Sequence, residues 1–309
     1  MMIKKVVLLL LFIQFSFLVK SQEFIPLWQN GKKPNYNGKK VTDSLFNERI
    51  WRVATPGIYS FLVNKAENTG TSVLIVPGGG YERLSYLYNG FNFAKWYNSL
   101  GINVFVLIHR LPHQADLVNK QIGPVQDAQR AMKLIRSKAA SLNILPDKIG
   151  VMGISAGGHV ASTLGTHVKD ESLVNDTLDK YSYRPDFMVL LSPVITMGKL
   201  AHAGSKKNFL GADTTAANVE LFSNELQVTS FTAPTFMVHA LNDSTVKVQN
   251  SLMFYEALIS KKVNASIHIF PQGGHGIRLD ENPGSTDLWM NLLELWLKEM
   301  KLVTPVPFK

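Results

Sequence analysis

The sequence predicts an α/β fold built on a mostly parallel sheet with helices on both faces. Three observations carry that expectation. Short, continuously apolar runs recur along the chain, helical apolar spacings alternate with them, and most runs stop at a Gly, Pro or Ser cluster. Continuous apolar runs are what strands need when both of their faces are covered. The 309 residues are 46% hydrophobic and 18% charged, a composition that packs a large core rather than staying disordered. There is no internal repeat, low-complexity tract or second composition regime after the first 22 residues, so residues 23–309 are expected to form one domain.

Residues 1–22 differ from the rest. Lys4 and Lys5 precede an almost wholly apolar run over 6–19, and Lys20, Ser21 and Gln22 form a polar exit. That is the layout of a secretory signal peptide, with cleavage expected near Ser21. The apolar run is short for a membrane span, so no stable membrane insertion is expected once the leader is removed; an uncleaved anchor is the alternative. The chain has no cysteine, which excludes a lipoprotein leader, disulfides and thiolate chemistry. Export without disulfides points to a bacterial periplasm or exterior. Removing the leader's three lysines leaves 29 basic and 23 acidic side chains, a net charge of +6. The remaining lysines are scattered and no aromatic stripe runs between them, so no nucleic-acid partner is expected.

Residues 23–55, polar and rich in Gly, Pro and Asn, read as an N-terminal arm with one short strand. An edge strand is expected over 57–63, then buried strands over 71–76 and 102–108, with a helix over 91–100 between them. Residues 124–140 read as a helix with proline in its first turn and Val125, Ala128, Ala131, Met132 and Ile135 on one face. A buried strand over 149–152 leads into a helix of small residues. Further strands are expected over 187–191, 235–241 and 265–270, and helices over 247–261 and 287–300. Residues 196–233 are rich in small residues and weakly periodic, as a cap or active-site loop region would be.

The chemistry centres on Gly153-Ile154-Ser155-Ala156-Gly157, the G-x-S-x-G pattern of a nucleophile elbow. A sharp strand-to-helix turn strains the serine backbone, and side chains two residues before and after it would strike the neighbouring chain. The turn presents the Ser155 hydroxyl at a helix N-terminus, where N–H groups favour developing negative charge. A serine needs a base, and the base needs an orienting carboxylate. His275 is the candidate base, because Gln272-Gly273-Gly274-His275-Gly276 is a flexible loop just past the last strand. His239 and His268 lie inside strands and read as packed. Asp243 is the candidate acid, just past a strand end in Asn242-Asp243-Ser244; Asp213 and Asp280 are its rivals. Pro77-Gly78-Gly79-Gly80-Tyr81 supplies a loop for an oxyanion hole, with Gly79, Gly80 and Ala156 as the expected N–H donors. Tyr81 and Arg110 are candidate substrate contacts, a packed ring and a loop-fixing arginine being the alternatives. His159 reads as packed. No cofactor is expected, since neither G-x-G-x-x-G nor G-x-x-x-x-G-K-[ST] occurs, and no metal, since H-E-x-x-H and carboxylate–histidine clusters are absent.

These motifs carry a resemblance. Pro77 to Tyr81, H-R-L-P at His109, Q-D-A-Q-R-A at Gln126, the elbow, N-D-S-T-V at Asn242 and G-G-H-G at Gly273 resemble the hormone-sensitive-lipase-like group of α/β-hydrolase esterases. Within that group they resemble secreted bacterial acetylxylan esterases of the BD-FAE type. Pro77 departs from the histidine that usually precedes the three glycines, a position that supports the loop without donating to the hole. The resemblance covers roughly residues 50–300. It implies an α/β-hydrolase fold and an acetylated polysaccharide or oligosaccharide substrate. Feruloyl or general short-chain esters are a second expectation, and a catalytically silent carbohydrate-binding or scaffold protein a third. The residue patterns by themselves point only to acyl transfer.

Overall fold

The computed structural model describes residues 22–28 and 33–303. The leader expected over residues 1–22 falls, but for Gln22, outside the described residues. Three short strands lie in the N-terminal arm: β1 (Glu23–Pro26), β2 (Ser44–Phe46) and β3 (Arg49–Arg52), the last two pairing as a small ribbon of their own. The main sheet continues with β4 (Gly57–Phe61), β5 (Ser72–Val76), β6 (Asn103–Ile108), β7 (Ile149–Ile154), β8 (Met188–Leu191), β9 (Thr235–Ala240) and β10 (Ala265–Phe270). Its order is β1-β4-β6-β5-β7-β8-β9-β10. The β1–β4 and β4–β6 pairs are antiparallel and every other pair is parallel. The expected α/β class therefore holds.

Every residue of β5 to β9 is buried, which is why their apolar runs do not alternate. The helices are α1 (Asn92–Ser99), α2 (Ile122–Ser137), α3 (Ala156–Thr166), α4 (Ala203–Leu210), α5 (Ala216–Leu221), α6 (Gln249–Ser260) and α7 (Trp289–Glu299). One core contains Met132 and Ile135 of α2, Val160 and Leu164 of α3, and Phe254 and Leu258 of α6. The opposite core contains Phe93 and Tyr97 of α1 and Trp289, Leu293, Trp296 and Leu297 of α7. The sheet is thus covered on both faces, as the alternating pattern requires.

Three local expectations are corrected. The strand expected at the edge, β4, is interior, because β1 of the arm pairs with its free side. The arm carries three short strands instead of one. The helix expected over 287–300 begins only at Trp289: a 3₁₀ turn over Gly284–Leu288 precedes α7 and leaves Leu288 exposed. Among the described residues, no helix is long and apolar enough to cross a membrane.

Candidate active site

Three strand ends on one edge of the sheet bring the candidate residues together. Ser155 follows β7 directly, with φ 55° and ψ −121°, a region that ordinary residues avoid. Its backbone is pinned from both sides: its N–H donates to Leu191 O at 3.0 Å, and its carbonyl accepts from Gly158 and Val194 N–H. The flanking glycines are forced by close approach. A Cβ on Gly157 would lie 2.1 Å from Val76 O, and one on Gly153 2.5 Å from Gly157 O.

His275 stands in the loop after β10, its side chain 23% exposed, and Asp243 lies past β9 with no side-chain exposure. The Nδ1 atom of His275 is 2.7 Å from Asp243 Oδ2, and Nε2 is 2.8 Å from Ser155 Oγ. A carboxylate accepts only, so Nδ1 carries the proton and Nε2 is left to accept from the serine hydroxyl. Asn242 Oδ1 accepts the Gly274 N–H at 2.8 Å and ties the histidine loop to the acid loop. Burial pushes the Asp243 carboxyl up. Hydrogen bonds from His239 and His275, the nearby His275 charge and the Val246 N–H outweigh it and hold the group well below the usual carboxylate range.

The glycine loop lies against the serine: a Cβ on Gly78 would be 3.1 Å from Ser155 Cβ and 3.3 Å from Asn89 Oδ1. Carbonyls of this loop are engaged, Gly79 O by the Glu82 and Arg83 N–H groups and Gly80 O by Asn208 Nδ2 of α4 at 2.8 Å. Among the described residues, the N–H groups of Gly79, Gly80 and Ala156 donate to no protein acceptor. Gly79 sits at φ 142° and Gly80 at φ 65°, and a Cβ on Gly79 would strike Arg83 O at 2.0 Å.

The two candidate substrate contacts are corrected. Tyr81 is 2% exposed. Its hydroxyl meets His159 Nδ1 at 2.7 Å and its ring packs on Phe209. Because His159 Nε2 faces the Phe222 carbonyl at 2.8 Å, Nε2 is the protonated nitrogen and the tyrosine hydroxyl donates to Nδ1. Tyr81 therefore braces the glycine loop against α3 and the segment before the 3₁₀ turn at Asn224–Leu226. Arg110 has no exposed side chain. Its Nε and Nη2 donate to Asp127 and its Nη1 to Pro34 O, so it clamps the N-terminal arm to α2.

Sequence reasoning missed two neighbours. His239, packed as expected, also presents Nε2 to Asp243 Oδ2 at 3.2 Å and to Val246 O at 2.9 Å, while Nδ1 meets Ser251 Oγ at 2.8 Å. Its place four residues before the acid is the only signal the sequence carries. His202 caps α4 by accepting the Ser205 N–H on Nδ1. Burial pushes its imidazole down, and the nearby His275 adds to that effect while Asp243 opposes it. No periodicity in 196–233 marks it. The rivals Asp213 and Asp280 line separate cavities.

With the geometry in hand, relatives place the chain. Residues 61–258 match the BD-FAE family. The chain belongs to the BD-FAE family. It is 35% identical over 243 residues to endo-1,4-beta-xylanase B of Butyrivibrio fibrisolvens, covering 75% of this chain and 38% of that protein. It is 31% identical over 237 residues to the acetylxylan esterase of Xylanibacter ruminicola, covering 75% of this chain and 46% of that protein. The chain thus spans less than half the length of these two curated relatives. A solved structure, the acetyl ester-xyloside bifunctional hydrolase from Caldicellulosiruptor lactoaceticus, superposes with a TM-score of 0.79 at 35% identity, covering 94% of this chain and 100% of that one. The sheet order, the elbow and this superposition make the fold of this BD-FAE chain the α/β-hydrolase fold.

Proposed function

We propose that this BD-FAE chain is a serine esterase that removes acetyl groups from a polysaccharide or oligosaccharide. One observation carries the chemistry: Ser155 Oγ, His275 and Asp243 form a continuous hydrogen-bonded chain beside unpaired N–H groups. His275 takes the hydroxyl proton as Ser155 Oγ attacks the ester carbonyl, and Asp243 stabilises the imidazolium. Gly79, Gly80 and Ala156 N–H hold the oxyanion. The tetrahedral adduct collapses with proton transfer from His275 to the departing sugar hydroxyl. Water, deprotonated by His275, then cleaves the acyl-serine and releases acetate. The acetylated glycan as substrate is supported by the acetylxylan esterase among the relatives. On this reading residues 1–22 are an export leader, residues 23–309 one catalytic domain, and the enzyme works in a bacterial periplasm or exterior.

The test compares acetate release from acetylated xylan with ferulate release from a feruloylated oligosaccharide. Acetate is the expected product, and Ser155→Ala lowers kcat by at least about 10⁴-fold. Wild-type turnover in that variant, or ferulate release alone, overturns the proposal.

A further inference from the structure

Three cavities share lining residues and are therefore neighbours, the last of them reaching the glycines on either side of His275. The first, about 120 Å³, lies between the β2–β3 turn and the residues after the glycine loop: Asn47, Arg49, Ser85 and Tyr88 line it. Tyr88 also lines the second, about 200 Å³, together with Asn92, Arg278 and Glu281. Arg278 and Glu281 also line the third, about 300 Å³, where Asn242, Gly274 and Gly276 form the wall next to His275. Two contacts place these cavities near the reacting centre. Ser85 N–H bonds to Gly78 O at 2.9 Å, and Gly78 lies against Ser155. Gly274 and Gly276 flank the base itself.

Resting on the reading above, we propose that these neighbouring cavities form one trough that holds the glycan main chain and that Tyr88 is the platform on which a pyranose ring stacks, which delivers a side-chain acetyl to Ser155. The lining suits a neutral sugar chain. Asparagine amides, the Arg49 and Arg278 forks and the Glu48, Asp280 and Glu281 carboxylates, of mixed sign, supply donors and acceptors for ring hydroxyls, while Tyr88, the exposed ring next to the buried Phe93, offers a flat apolar face to the C–H side of a pyranose. Tyr88 is 47% exposed. It differs from the aromatic residues around it: Tyr86 and Phe91 pack on Tyr59 and on each other, while Tyr88 joins no aromatic pair among the described residues. Its mounting is stiff. It stands on a π-helical turn over Leu87–Phe91, a costly geometry that recurs at functional sites, and Gly90 of that turn is pressed so closely on β6 that a Cβ would lie 2.5 Å from Val106 Cγ1. Asn89 of the same turn lies against Gly78, so the platform and the oxyanion loop are packed together.

A main-chain site of this kind discriminates between a polymer and a small ester. For Tyr88→Ala, the ratio of kcat/KM on acetylated xylan to kcat/KM on p-nitrophenyl acetate falls about five- to tenfold, through a rise in KM on the polymer. Tyr88→Phe keeps the ring and restores the ratio. A second readout avoids turnover: deacetylated xylohexaose binds the full-length Ser155→Ala protein in calorimetry, and adding Tyr88→Ala weakens that binding by the same factor. Unchanged polymer KM and unchanged xylohexaose affinity in Tyr88→Ala overturn the trough while leaving the esterase reading in place. A wild-type protein that cleaves p-nitrophenyl acetate but neither deacetylates the polymer nor binds xylohexaose overturns both.

Discussion

Asp243 and Asp127 both have side chains without solvent exposure, and each gathers a full set of donors. Asp127, on α2, takes Arg110 Nε and Nη2, the Arg110 N–H and Trp28 Nε1. Asp243, past β9, takes the Thr245 and Val246 N–H groups on Oδ1 and faces His275 and His239 with Oδ2. The two differ in their partners. A guanidinium is a fixed cation, and Arg110 has its Nη1 committed to Pro34 O, so this pair can only hold the arm to the helix. An imidazole takes and releases a proton, and His275 has one nitrogen on the acid and the other on a nucleophile at a partly open face. A buried, well-bonded acid is therefore no mark of a site. A partner whose far side meets a reactive group is.

The same isosteric change at both aspartates separates the two roles. Asp243→Asn lowers kcat about 10⁴-fold, because the amide no longer favours the required tautomer or the imidazolium. Asp127→Asn leaves Arg110 buried against a neutral partner and lowers stability on the order of 3 kcal/mol, with kcat per folded molecule retained. Urea unfolding and active-site titration on both variants give the two numbers for each. A crossed result, with Asp127→Asn folded but inactive, breaks the comparison.

Acid sharpens it with a third buried polar group. His159 bridges the glycine loop and the segment at Phe222, and burial pushes its imidazole down from 6.5 to about 4; the hydrogen bond to Phe222 O opposes the shift and the His167 charge adds to it. Between those two values the unfolded chain holds a proton that the folded chain does not. Stability is therefore complete above about pH 6.5 and is lost as pH falls toward 4, by about 3 kcal/mol from this group. Burial lowers His109, His167, His202 and His268 as well, so the wild-type slope contains their shares too. His159→Gln, which can keep both hydrogen bonds without titrating, should flatten the urea midpoint against pH by that share. A slope equal to wild type would remove His159 from the account.

Much of the fold was legible because β5 to β9 are buried on both faces and their runs are continuous. The triad was legible because Ser155, Asp243 and His275 each sit just past a strand end, beside glycines or turn formers. What escaped depended on partners distant in sequence. Arg110 looked available until Asp127, one helix later, engaged its fork, and Tyr81 until His159, on the elbow helix, met its hydroxyl. Strand β4 reads as an edge because no pattern within it counts its neighbours, and β1, four residues of a polar arm, is too short to announce itself. His202 and the helices of 196–233 lack a periodic apolar stripe. The π-helical turn under Tyr88 has no sequence signature.

His239 is the finest test, since it belongs to the catalytic acid yet touches no substrate. Its Nε2 faces two acceptors, Asp243 Oδ2 and Val246 O, so that nitrogen carries the proton and the Ser251 hydroxyl donates to Nδ1. This N–H helps to keep Asp243 ionised and fixes which way its carboxylate turns. His239→Phe fills the same space without the donor. It is expected to lower kcat about tenfold at unchanged KM, roughly one charge-assisted hydrogen bond, with a stability cost from the stranded Ser251 hydroxyl and Val246 carbonyl. The loss of the donor also raises the Asp243 carboxyl toward its ordinary range. His239→Gln, with an amide donor of similar reach, recovers part of kcat. If His239→Phe loses stability alone, with kcat that of wild type, then His239 only fills the core and Asp243 is held by its loop.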